Sequence, residues 1–207
     1  MSEPQKQLII TGFEPFGGET VNPAWEAVRR LEGAIGIYRV HALQIPTVFD
    51  GAARAVIAAA EALDPDAILC VGQAGGRAAV TPEMVALNLR YAVLPDNAGR
   101  MPQDEPVVPG GPAAYFATVP VRRMARAMEA AGVKSAVSYS AGTFVCNDLL
   151  YTLLNRYAGT RVRVGFIHVP YLPEQAAEKS APSLPLESAV KALRAAVVAL
   201  QDGSESL

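Results

Sequence analysis

The chain has 207 residues, enough for one sizeable core and short for two full domains, so one domain over 1–207 is expected. Its 18 basic and 20 acidic residues leave a net charge of −2, which excludes the basic footprint of a nucleic-acid or anionic-membrane binder and points to a small molecule or peptide. Hydrophobic residues make up 51%, yet charges, Gly and Pro interrupt every apolar run before the length of a membrane span, and the opening MSEPQKQLIITGF has no signal-peptide layout.

In chain order, the apolar run over 8–12 predicts a short buried strand, and Asn22-Pro23 opens a helix through 31, with Asn22 as cap and Pro23 at the first helical position. A strand over 38–45, an Ala-rich helix over 48–63 and a wholly apolar strand over 67–72 follow. The stretch 83–92 alternates as a strand, and 95–112, rich in Pro, Gly, Asp and Asn, reads as a long surface loop. Next come a helix over 121–131, a strand over 135–140, a helix over 146–157, a strand over 162–168 and a closing helix over 186–200. Strands alternating with helices at this spacing predict an α/β fold with a mainly parallel sheet covered on both faces. Ligand sites of such sheets form at the carboxyl ends of the strands, so the loops leaving the strands matter most.

Three of those exits are Gly-rich: 12–18, 72–77 and 141–143. None is a phosphate loop, because Gly17 is followed by Gly18-Glu19 where Lys and Ser/Thr are needed, and no G-x-G-x-x-G occurs. Phe13 and Phe16 in the first exit either plug the end of the sheet or wall a flat apolar pocket for a small ring.

The chain contains two cysteines, each in an apolar segment, which argues for reduced thiols in the cytoplasm. Cys70, inside its strand, reads as a small buried hydrophobe. Cys146 reads either as such a hydrophobe or as a nucleophile. With Thr143 as cap it falls in the first helical turn, where unpaired N–H groups and the helix dipole are expected to lower a thiol pKa and to hold an oxyanion. A thiol nucleophile needs a proton carrier, and there are two histidines. His41 sits in mid-strand and reads as structural, whereas His168 ends a strand at the ligand-binding edge. For the acceptor that orients the imidazole, Asp148 is disfavoured, since two residues apart on a helix face differently. Glu83, opening a strand whose Val85, Leu87 and Leu89 share its side, is the stronger candidate, against the alternative of a solvated strand end.

Taken together, the motifs 11–18 (TGFEPFGG) with Asn22-Pro23 and Trp25, 71–77 (VGQAGGR) with Thr81-Pro82-Glu83, Pro95-Asp96-Asn97, 140–147 (SAGTFVCN) and 166–170 (FIHVP) resemble the pyroglutamyl peptidase I family, cysteine peptidases that remove N-terminal pyroglutamate. The likeness spans nearly the whole chain. It implies a three-layer α/β/α sandwich, a cytosolic homotetramer, and no cofactor or metal. It also implies a catalytic triad of Glu83, Cys146 and His168, and a lactam pocket bordered by Phe13, Phe16, Gln73, Phe144 and Val145. One position departs from the pattern: the family carries arginine ten residues after the triad glutamate, and here that residue is Val93. Weakened catalysis with retained pyroglutamyl binding is therefore the second expectation, and a cysteine amidase with another acyl preference the third.

Overall fold

In the computed structural model, which describes residues 5–177 and 179–201, the first apolar run forms β1 (Lys6–Phe13) and Asn22-Pro23 starts α1 (Pro23–Val28). The Asn22 side chain accepts from the Ala24 N–H at 3.0 Å, which satisfies one of the donors that a helix start leaves over. The chain continues through β2 (Gly33–Ile35), β3 (Tyr38–Ile45), α2 (Gly51–Leu63), β4 (Ala67–Gln73), β5 (Thr81–Pro82), β6 (Val85–Leu87) and β7 (Ala114–Phe116). It ends with α3 (Val121–Ala130), α4 (Val145–Arg156), β8 (Arg163–Val169), α5 (Pro173–Ala176) and α6 (Leu186–Ala199).

Six strands make one sheet in the order β2-β3-β1-β4-β8-β5. The four central strands run parallel, and the short β2 and β5 close the edges antiparallel. β4 is buried along its whole length, as a central parallel strand covered on both faces must be. One face packs under α1, α3 and α6, with Leu8, Ile10, Leu69, Val71, Met124 and Leu193 in a common core. The other packs under α2 and α4, with Ile9, Ile68, Val56, Leu149, Leu153 and Phe166. The result is the expected α/β/α sandwich, a single α/β domain. Residues at the carboxyl ends of β1, β3, β4 and β8, namely Phe13, Ile45, Gln73 and Val169, lie along one edge.

Three local expectations are corrected. The stretch 135–140 makes only isolated parallel bridges, Val80↔Ser135 and Glu83↔Ser138, in place of a strand. The stretch 83–92 contains strand only at β6, and its buried residues are Glu83, Met84, Ala86, Arg90 and Ala92, with Val85, Leu87 and Leu89 partly exposed. Glu83 is thus buried between β8, whose Phe166 carbonyl accepts its N–H at 2.9 Å, and the passing 135–140 segment, not by strand alternation. The helix expected from 48 begins at Gly51, because the Asp50 backbone at φ 60 turns the chain into it.

Candidate active site

β4 and β8 set the frame, pairing Gly72 with His168 and Gln73 with Val169. His168 is 4% exposed and Glu83 is 0% exposed. The imidazole Nδ1 lies 2.7 Å from Glu83 Oε1, with Nδ1–H donating to the carboxylate. That bond assigns the tautomer and leaves Nε2 as the proton acceptor. Burial lowers the His168 pKa, and the bond and charge of Glu83 oppose that effect only in part, so the ring is neutral at pH 7.

Cys146 comes from α4, which packs on the face of the sheet that carries Phe166 and His168. α4 starts there because Val145, Leu149, Leu150, Leu153 and Leu154 form its buried stripe. Its cap is Phe144 in extended backbone with no side-chain cap bond, which corrects the expected Thr143 cap. Thr143 is engaged elsewhere: its hydroxyl donates to the Tyr91 carbonyl at 2.9 Å, and its own carbonyl accepts from the Tyr91 N–H at 3.0 Å. Cys146 still falls in the first turn. Asn147, beside it and fully buried, accepts from the Leu87 N–H and donates to the Leu87 and Leu89 carbonyls, clamping the 87–89 segment to the helix start.

The sulfur lies over Gly72, the register partner of His168. A Cβ built on Gly72 would stand 2.9 Å from Cys146 Sγ and 2.8 Å from Phe166 Cζ, so only glycine leaves the sulfur this seat. The residue as a whole is partly exposed, but burial of the thiol, followed by the Glu83 charge, pushes its pKa up to about 12, while Arg77 and the backbone act weakly the other way. The expected lowering by the helix start is therefore corrected: desolvation and a nearby carboxylate outweigh the dipole. At rest the thiol and the imidazole are therefore both neutral. Cys70, wholly buried, is also raised to about 12 by burial. His41 bonds Gln7 Oε1 through Nε2 at 2.8 Å, the structural fate expected for it.

Phe144 meets Phe16 at 6.0 Å between ring centroids and Phe49 edge-on at 5.3 Å. Phe16 and Phe144 are partly exposed, whereas Phe13 is 2% exposed and packs 6.3 Å from Phe166, whose ring abuts His168 at 4.7 Å. Phe13 thus has the buried packing of a plug at the sheet end, whereas Phe16 and Phe144 keep part of their surface open. Gln73, 9% exposed at the end of β4, accepts from Gln175 Nε2 at 3.1 Å. An open polar cavity of about 420 Å³, lined in part by Glu19, Gln175 and Lys179, adjoins this pair.

Sequence reasoning missed four residues here. Phe49, in the turn before α2, and Gln175, on α5, carry no motif of their own. Arg77 donates to Glu83 Oε1 at 2.6 Å. Arg90, 6% exposed, bonds Asp148 at 2.7 Å and also pairs with Asp50, while Asp148 Oδ2 accepts from the Asp50 N–H, so Asp148 serves this clasp and not the imidazole. Val93 is 79% exposed, just beyond the Tyr91–Thr143 contact. Among the described residues, no group of three or more His, Cys, Asp and Glu side chains converges as a metal site.

A sequence model of the pyroglutamyl peptidase family matches residues 6–202. The pyrrolidone-carboxylate peptidase of Bacillus subtilis is 51% identical over 201 residues, covering 94% of this chain and 92% of that one. That of Chromobacterium violaceum is 52% identical over 194 residues, covering 93% and 91%. The crystal structure of pyroglutamyl peptidase I from Bacillus amyloliquefaciens superimposes with a TM-score of 0.93 at 49% identity, covering 95% of each chain.

Proposed function

Because the chain belongs to the pyroglutamyl peptidase family, and is a cysteine-type peptidase of that family, we propose that Glu83, Cys146 and His168 carry the removal of N-terminal pyroglutamate from peptides. The observation that supports this assignment is the buried 2.7 Å Glu83–His168 bond beside a cysteine sulfur seated over the strand neighbour of His168.

In the proposed reaction the lactam ring lies against Phe16 and Phe144, with the buried Phe13 and Val145 supporting that wall and Gln73 at the polar side. A flat, neutral ring suits an apolar pocket with few hydrogen bonds. Because both partners start neutral, His168 Nε2 takes the thiol proton as the sulfur bonds to the carbonyl carbon that follows the ring. The tetrahedral oxyanion forms at the start of α4, where the N–H groups of Val145 and Cys146 precede the first carbonyl the helix can offer them. The imidazolium, held by Glu83, then protonates the leaving amine. The neutral ring next draws a proton from water, whose oxygen attacks the thioester and releases pyroglutamate and Cys146 thiol. A cytoplasmic setting and a homotetramer complete the proposal; no described helix is long and apolar enough to cross a membrane, and light scattering on the purified protein tests the tetramer.

Cys146→Ala tests the nucleophile. It should abolish release of nitroaniline from pyroglutamyl 4-nitroanilide with Tm retained, and alkylation of the native protein should modify Cys146 before buried Cys70. Full activity in the Ala variant would end the assignment.

A further inference from the structure

Glu83 is bonded in a lopsided way. Its Oε1 accepts both His168 Nδ1–H at 2.7 Å and Arg77 Nη1–H at 2.6 Å, while Oε2, also buried, has no partner among the described residues. The carboxylate therefore depends on Arg77 for its second donor and for charge compensation. Arg77 does more than pair. Its Nη1 also donates to Thr81 Oγ1, and its Nη2 donates to the Ser140 carbonyl at 3.0 Å. Ser140 begins the stretch that runs through Gly142 and Phe144 into Cys146, so one guanidinium, 29% exposed, spans the acceptor of the triad and the approach to its nucleophile.

We propose that Arg77 is a positioning residue for the hydrolysis: it fixes the Glu83 carboxylate and the Ser140–Cys146 approach to one another, and its charge offsets that of Glu83 at His168. This rests on the triad assigned above. A buried carboxylate with no counter-ion would favour imidazolium and so remove the base before substrate arrives. With Arg77 in place the Glu83–Arg77 pair is neutral overall, and the imidazole stays free to accept a proton. The charged groups that act on His168 are Glu83 and Arg77; its strand neighbours Gly72 and Thr81 add none, and the Cys146 thiol sits over Gly72. Arg77 lowers the pKa of His168 and of Cys146 alike, in keeping with this role.

The test is the pH profile of kcat/KM on pyroglutamyl 4-nitroanilide for the wild type, Arg77→Gln, Arg77→Lys and Glu83→Gln, each with its Tm. Arg77→Gln should lower kcat about tenfold at pH 7 with little change in KM. It should also move the acid limb upward by roughly half to one pH unit, since a cation near His168 is gone. Arg77→Lys keeps the charge but not the fork, so its limb should stay put while kcat recovers only in part. An Arg77→Gln protein with an unmoved limb, or one whose only change is a lower Tm, overturns the proposal. Should Arg77→Gln fail to fold, Arg77→Lys decides: a shifted limb or an unchanged kcat refutes. Glu83→Gln separates the two levels. If it keeps wild-type activity, the triad itself falls; if it is inactive while Arg77→Gln matches the wild type, only the role of Arg77 falls.

Discussion

Gly72→Ala places one methyl group between the two halves of the site. The added Cβ would stand 2.8 and 3.0 Å from the Phe166 ring edge and 2.9 Å from Cys146 Sγ, well inside ordinary contact. Phe166 is 1% exposed, packed between Phe13 and His168, and has little room to yield. The sulfur is the mobile partner and must shift by roughly half to one ångström to regain a normal separation. Overpacking of this kind costs about 1–3 kcal/mol, or about 2–12 °C in Tm for a chain of this size. A misplacement of about 1 Å at the reacting atom costs on the order of a hundredfold in rate. Activity should therefore fall much further than stability: kcat/KM on pyroglutamyl 4-nitroanilide down about a hundredfold, with the protein still folded at 25 °C by circular dichroism. A variant within threefold of wild type, with Tm unchanged, would show that the sulfur does not rest over Gly72, and the site geometry would have to be redrawn.

The acid limb of kcat/KM should lie below pH 6.5, because burial lowers the His168 pKa and the reaction needs the neutral ring; a limb above 7 would mean that Glu83 dominates. The same shift has a sign for stability: the unfolded imidazole binds its proton more readily, so the folded state should lose stability as pH falls through 6.5, readable as a falling Tm. Iodoacetamide alkylation of Cys146 should keep accelerating above pH 8.5, as a thiol raised towards 12 requires; a plateau near neutral pH would show a preformed thiolate. Arg90→Met strands the wholly buried Asp148 and should cost about 3 kcal/mol, with Arg90→Met/Asp148→Leu recovering much of it; a double variant no better than the single would refute a charge-pairing role. Val93→Arg should raise kcat/KM by up to about tenfold, an exposed guanidinium being screened by solvent, and a neutral or harmful result would show that this position does not serve the substrate.

Where local pattern governs, the sequence was a sufficient guide. Apolar runs set β1, β4 and β8 within a residue or two, and the Asn22-Pro23 signal marked the start of α1, because a cap and a fixed φ act over three residues. His168 and Cys146 were legible for the same reason, one at a strand end and the other at a helix start. What failed depends on distant partners. Thr143 looked like a cap, but its hydroxyl finds Tyr91 across 52 positions. The 135–140 segment has the composition of a strand, yet it meets its neighbours only through isolated bridges. Glu83 was selected by an alternation that the chain does not adopt; its burial comes from β8 on one side and the 135–140 segment on the other. The Cys146 pKa was misjudged because a helix start is a local feature, whereas desolvation and Glu83 belong to the assembled site. Arg77 stood in view at the end of a Gly-rich loop, but its partners Glu83 and Ser140 meet only after folding.

The central claim is that Cys146 is acylated during turnover. The direct measurement is mass spectrometry of the protein quenched in acid while it hydrolyses an excess of a pyroglutamyl ester, followed by proteolysis to locate the modification. The account predicts the mass increment of one pyroglutamyl acyl group on the peptide that contains Cys146, lost on standing at neutral pH and absent in Cys146→Ala. Steady turnover with no acylated Cys146, or an adduct that persists in Cys146→Ala, would contradict it.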